Sequence, residues 1–314
     1  MSKQNLMPQS PHHDNEIDLK ALFIALWKGK WIILFMTAIF AVGGVFYALS
    51  KPNVYKAEAT LVSASGGQSG GLAAMASQFG GLASLAGITL DGGGADSKGM
   101  ALAVLQSRQF INAFIHKYDL WVPLMAGEKW DPNQDKLILN AEVYNEDTKK
   151  WVREVESGKL SVPTDWGGHR AFKQAIAISD AKDTGLTTLS ITHLSPTIAK
   201  QWVDWLILEL NAWMKKQSLD ETRNNISYLE EQIGNTNIAD MQSVFYQLIE
   251  EQTKNLMLAE VQTEFAFKVI DPAVVPEEKF GPKRALICVL ATLLGGMLGV
   301  AVVLIRFAFI KEIN

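Results

Sequence analysis

One cysteine and five histidines are all that 314 residues provide for thiol or imidazole chemistry. Cys288 has no second thiol to pair with, so a disulfide framework is excluded, and its place in an apolar run makes it a small packing residue. The histidines fall at 12, 13, 116, 169 and 193 with neither H-x-x-x-H nor H-E-x-x-H spacing. No zinc site is read from them, and neither a metal nor a cofactor is expected. A basic excess is missing as well: 29 Lys and Arg stand against 33 Asp and Glu, a net charge of −4, which argues against a nucleic-acid surface. The glycine-rich "GGGADSKG" at 92–99 lacks the Lys-Ser or Lys-Thr pair of a phosphate-cradling loop. Glu230 with Glu231 and Glu250 with Glu251 are neighbours on helices, so the carboxylates of each pair diverge. They read as solvated faces, and a non-enzymatic protein is expected.

Charge is absent from two long runs, Trp31 to Ser50 and Ala285 to Ile305. Each gives a helix of roughly 30 Å, the thickness of a bilayer's hydrocarbon core, so residues 31–50 and 285–305 are expected to be transmembrane helices. A cleaved signal peptide fits the first run poorly, because a polar tail precedes it and no A-x-A-like site closes it. Lys28 and Lys30 at its start, with Trp27 and Trp31 at headgroup level, point to a cytoplasmic N-terminus. Two spans put both termini on one side. The segment 51–284 then becomes a single domain on the other side, long enough to translocate whatever its charge.

Within 1–30, Met1 to Glu16 is polar and aperiodic and reads as disordered. Ile17, Leu19, Leu22, Phe23, Leu26 and Trp27 follow on one helical stripe, an amphipathic segment on the inner membrane face. "VYKAEATLVSA" after the first span alternates like a strand. Residues 63–99 read as a Gly-rich loop enclosing one or two short apolar helices. A helix is expected over Ala101 to Tyr118, and strands over Ala171 to Ser179 and Thr187 to His193. Ser195 as N-cap and Pro196 at the first position open a long helix over 196–233, about 57 Å in length. Its apolar stripe of Ile198, Trp202, Trp205, Leu206, Leu210 and Trp213 thins beyond Met214, so the distal part leaves the core. "GNTN" breaks it, and a return helix over 238–264 completes an antiparallel hairpin. The predicted fold is α+β: two transmembrane helices flanking an α/β base domain with a long projecting helical hairpin.

The approach to the second span is the most specific stretch. Pro272, Pro276 and Pro282 force an extended descent, Lys283 and Arg284 can meet lipid phosphates, and Gly295 and Gly299 form a small-xxx-small pair that lets another helix approach closely. This arrangement resembles the Wzz-type chain-length determinants, polysaccharide co-polymerases whose second span carries P-x2-P-x4-S-P-K-x11-G-x3-G. Pro276, Gly281-Pro282-Lys283, Gly295 and Gly299 reproduce most of it. Gly281 stands where serine is usual, and three residues instead of two separate Pro272 from Pro276.

The resemblance implies an inner-membrane protein with a periplasmic base domain, assembled into a homo-oligomeric, octameric ring. It also implies work beside a Wzy-type polymerase on lipid-linked polysaccharide. Family members acting on capsule or exopolysaccharide often carry a cytoplasmic tyrosine kinase. The sequence stops nine residues after Ile305, so 306–314 is expected to be a short cytoplasmic tail, and the O-antigen branch of lipopolysaccharide synthesis is favoured. Enterobacterial common antigen or another envelope polysaccharide stands behind it. A two-span ligand sensor is the rival of a different class, and a periplasmic hydrolase would need convergent catalytic groups that the sequence does not offer.

Overall fold

The computed structural model describes residues 24, 26–64, 93–155, 158, 160–236 and 238–313. The tail 1–16, the amphipathic stripe up to Phe23 and most of the Gly-rich segment lie outside them. The chain divides into two compact units, Met1–Lys51 with Pro282–Asn314, and Pro52–Gly281.

The first unit is a pair of helices, α1 (Lys30–Ser50) and α8 (Arg284–Ile313). Both are apolar on their outer faces: Leu34, Phe35 and Phe46 on α1 and Leu293, Leu294 and Met297 on α8 are all more than half exposed. In water each such side chain would forfeit up to about 1.5–3 kcal/mol of transfer free energy. A bilayer removes that cost, and both helices are long enough to cross it.

The second unit is built on a four-stranded antiparallel sheet of order β6-β7-β1-β8, with β1 Tyr55–Ser63, β6 Ile176–Asp180, β7 Leu186–His193 and β8 Phe267–Asp271. Strand β1 therefore lies between strands that arrive much later in the chain. Its alternation buries Ala57, Ala59 and Leu61, while β7 opposes them with Leu189 and Ile191. A bulge at Thr60/Leu61 shifts the β1–β8 register.

Helices cover this sheet: α2 (Gly93–Gln106), α3 (Arg108–Lys117), the short α4 (Trp121–Met125), α5 (Asp165–Ala175) and the first half of α6 (Pro196–Asn235). Hairpins β2–β3 (Gly127–Asp131 and Lys136–Leu139) and β4–β5 (Tyr144–Asn145 and Lys150–Trp151) fill the connection between α4 and α5. Phe110, Phe114, Phe172 and Trp202 form the aromatic centre of the core, with Phe114 and Phe172 ring centroids 5.5 Å apart.

Three local readings need correction. Ser63 belongs to β1 and residues 93–99 are helical, so the Gly-rich loop is shorter than 63–99 at both ends. The single helix expected over 101–118 is two, because Ser107 leaves helical geometry and accepts a hydrogen bond from Phe110 N–H at 3.2 Å as the N-cap of α3. Residues 171–175, expected in a strand, close α5. Thr164 caps that helix through Gly167 N–H, and the helical turn carries Phe172 into the core. Apolar alternation in "AFKQAIAIS" spans the helix end and β6 alike, so it could not mark the boundary.

Ser195 accepts from Ile198 N–H and Pro196 opens α6, as its capping residues dictate. Burial along α6 stops at Met214. Beyond it the helix runs beside α7 (Ala239–Val261), which has no buried residue. Lys215 Nζ donates to Glu260 O at 2.6 Å and Gln262 O at 2.9 Å, capping the end of α7, and Arg223 meets Glu260 at 3.1 Å. The hairpin is thus fastened near its base.

Candidate functional site

The prolines and glycines singled out in the sequence occupy two places, one in each unit. In the sheet-bearing unit, the extended segment after β8 contains Pro272 and Pro276 and ends where Gly281 pairs with Val54 in an isolated antiparallel bridge. Val54 N–H donates to Gly281 O at 3.0 Å, and Phe280 and Gly281 N–H donate to Val54 O at 2.9 and 3.2 Å. The two ends of this unit are therefore tied side by side. A Cβ at Gly281 would lie 3.3 Å from Val54 Cγ2. Glycine is the easier residue there, although serine would need only a small displacement.

In the helical unit, Pro282 and Lys283 precede α8, and Lys283 is exposed. Arg284 behaves differently from its sequence reading as a lipid-facing cation. Its Nε donates to Ala48 O at 3.1 Å and its terminal amine lies 3.4 Å from Lys51 O. The last carbonyls of a helix lack intrahelical donors and carry partial negative charge, so a guanidinium is well matched to the end of α1.

Gly295 and Gly299 face α1 of the same chain. A Cβ at Gly295 would stand 2.6 Å from Phe40 Cβ and 3.1 Å from Thr37 Cα; at Gly299 it would stand 2.8 Å from Ile33 Cα. Both are closer than atoms can sit. The seam continues on both helices: a Cβ at Gly44 would meet Ala291 Cβ at 2.5 Å, and one at Gly29 would meet Val303 at 2.5 Å. Small residues thus let two backbones approach where no water drives association and dispersion does the holding. Thr37 and Thr292 return their hydroxyls to Ile33 O and Cys288 O on their own helices, at 2.8 and 2.7 Å, leaving neither donor unpaired in hydrocarbon. Sequence reading found only the α8 half of this seam, because Gly29 and Gly44 acquire meaning only once α1 lies antiparallel to α8.

Among the described residues of the other unit, no side chains converge as a catalytic centre would. Among the described residues no three His, Cys, Asp or Glu side chains gather as a metal set. His116 binds Asp165 at 2.8 Å near the surface. His193 is buried, accepting from Ser195 N–H at Nδ1 (3.0 Å) with Nε2 3.0 Å from Pro123 O, and burial lowers its pKa. That pattern needs the neutral ring carrying its proton on Nε2. Tyr118 stacks on Trp205 at 4.3 Å and donates to Glu209; burial, then that carboxylate, pushes its pKa up to about 12. These are structural contacts, as are those of Trp202 and of Trp213 against Phe110.

Asn211 was missed altogether in the sequence. It is buried on α6, accepts from Ala266 and Phe267 N–H at 2.7 and 3.0 Å, and donates to Phe267 O at 3.0 Å. One amide thereby fixes where the returning chain rejoins the sheet.

Two family profiles match this chain. Residues 15–118 match Wzz, the chain length determinant protein, which takes in α1, β1 and the helices up to Lys117. Over residues 15–118 the chain is similar to the Wzz family. Residues 229–308 match GNVR, described as "G-rich domain on putative tyrosine kinase", and this second stretch contains every proline and glycine of the Wzz motif described above. A solved structure described as a full-length bacterial polysaccharide co-polymerase is similar at 14% identity and a TM-score of 0.35, over 95% of this chain and 99% of the other. No curated protein sequence matches this chain.

Proposed function

We propose that this protein is a non-enzymatic regulator that sets the modal length of an envelope polysaccharide, in the first instance lipopolysaccharide O-antigen made by a Wzy-type polymerase. The observation carrying the reading is the Wzz match over 15–118 in a chain whose α1 and α8 close on a glycine seam. In this reading both termini are cytoplasmic, the sheet-bearing domain is periplasmic, and copies assemble as a homo-oligomeric ring around or beside the polymerase and its lipid-linked substrate. Pro272, Pro276 and Pro282 shape the descent to the membrane, Lys283 meets headgroups, and Gly295 and Gly299 seat α8 on α1. Their contribution is geometry, with no bond made or broken.

The GNVR match favours a second reading of the polysaccharide, because it likens residues 229–308 to a domain carried by kinase-bearing proteins. Capsule or exopolysaccharide would then be the regulated polymer. Gel profiles of O-antigen and of capsule from a deletion strain, with and without the gene restored, separate the two. A ladder that loses its cluster and regains it on complementation supports the first; an intact ladder with altered capsule length supports the second.

A further inference from the structure

A groove of about 490 Å³ runs along α1, lined by Lys30, Ile33, Leu34, Thr37, Ala38 and Ala41. Its lining is almost wholly apolar apart from Lys30, which closes one end. Ile33 and Thr37 are shared with the glycine seam.

Two observations point to the occupant. From Lys30 to Ala41 an α-helix rises about 17 Å, close to half the hydrocarbon thickness of a bilayer, so the groove runs from one interface to about the midplane. A second transmembrane helix would need a track through both leaflets; a lipid chain needs one. Lys30 is exposed at the interfacial end with its ammonium 5.1 Å from the Trp27 ring centroid, and Lys28 is exposed beside it. Interfacial tryptophan and lysine hold that cation at headgroup depth.

We propose that this groove holds one chain of an anionic phospholipid, with the lipid phosphate on Lys30. The site rests on the reading of α1 and α8 as membrane spans. The full chain would be reconstituted in nanodiscs of equal phosphatidylcholine and phosphatidylglycerol, and lipid retained per chain counted by native mass spectrometry. Wild type is expected to keep phosphatidylglycerol about fivefold over phosphatidylcholine, the effect of one lysine at an anionic surface. Lys30→Gln, a change at an exposed residue, is expected to erase the preference while retaining lipid. Ala38→Phe, which fills the groove, is expected to lower retention of both lipids. Equal retention of the two lipids by wild type, or unchanged retention in Ala38→Phe, would overturn the site. Failure of the chain to enter the discs would instead overturn the span reading beneath it.

Discussion

Substituting alanine for individual glycines of the helix pair separates close packing from a general dislike of added bulk. At Gly299 the new methyl would stand 2.8 Å from Ile33 Cα, and at Gly295 2.6 Å from Phe40 Cβ. Neither neighbour is the free end of a flexible side chain, so the helices must separate by about 1 Å to restore van der Waals contact. Overpacking of this kind costs about 1–3 kcal/mol per site. Gly43 has nothing within 4 Å of the same added atom, and Gly296 meets only Thr37 Oγ1 at 3.7 Å. Gly43→Ala and Gly296→Ala should therefore be neutral or slightly favourable, alanine being the better helix former. Thermal unfolding of the full chain in detergent, read by circular dichroism, orders the four variants. If Gly299→Ala and Gly43→Ala melt together, the seam is not what these glycines are for.

Asn211→Ala should destabilise by about 3–5 kcal/mol, since it strands two buried N–H groups and a carbonyl, each worth about 1–3 kcal/mol when unmet; denaturant unfolding followed by tryptophan fluorescence measures it. His193 should make stability fall on acidification. Its folded pKa lies below the ordinary 6.5, so its contribution is complete above about pH 6.5 and is lost as pH drops toward the folded value. The slope attributable to one proton cannot exceed about 1.4 kcal/mol per pH unit, and His193→Gln should remove it. Arg284→Gln should lower the melting temperature of the helix pair slightly, by loss of about 0.3–1 kcal/mol at the end of α1; an unchanged melting curve would show that its two carbonyl contacts are incidental.

Some of this architecture was legible in the residues themselves. Uncharged runs at 31–50 and 285–305 announced α1 and α8 because hydrocarbon admits few alternatives. Ser195-Pro196 marked the start of α6 because capping is local chemistry, and the thinning stripe after Met214 marked where the helix leaves the core. The rest depended on partners distant in the chain. Asn211 looks like any polar residue on a helix until the backbone at Ala266 and Phe267 arrives beside it. Arg284 next to Lys283 reads as one more interfacial cation, and only the end of α1 gives it carbonyls to bind. The helix at 165–175 was obscured by an alternation that continues through the junction with β6.

Control of polymer length by this chain is read from an electrophoretic profile of lipopolysaccharide from a strain deleted for the gene. Deletion should turn a clustered O-antigen ladder into a smooth decay. Restoring the wild-type chain should bring the cluster back, and restoring Gly295→Leu with Gly299→Leu should shift or abolish it while the folded protein remains detectable in the membrane. An O-antigen ladder untouched by deletion, with capsule and common-antigen lengths equally unchanged, would contradict length control altogether.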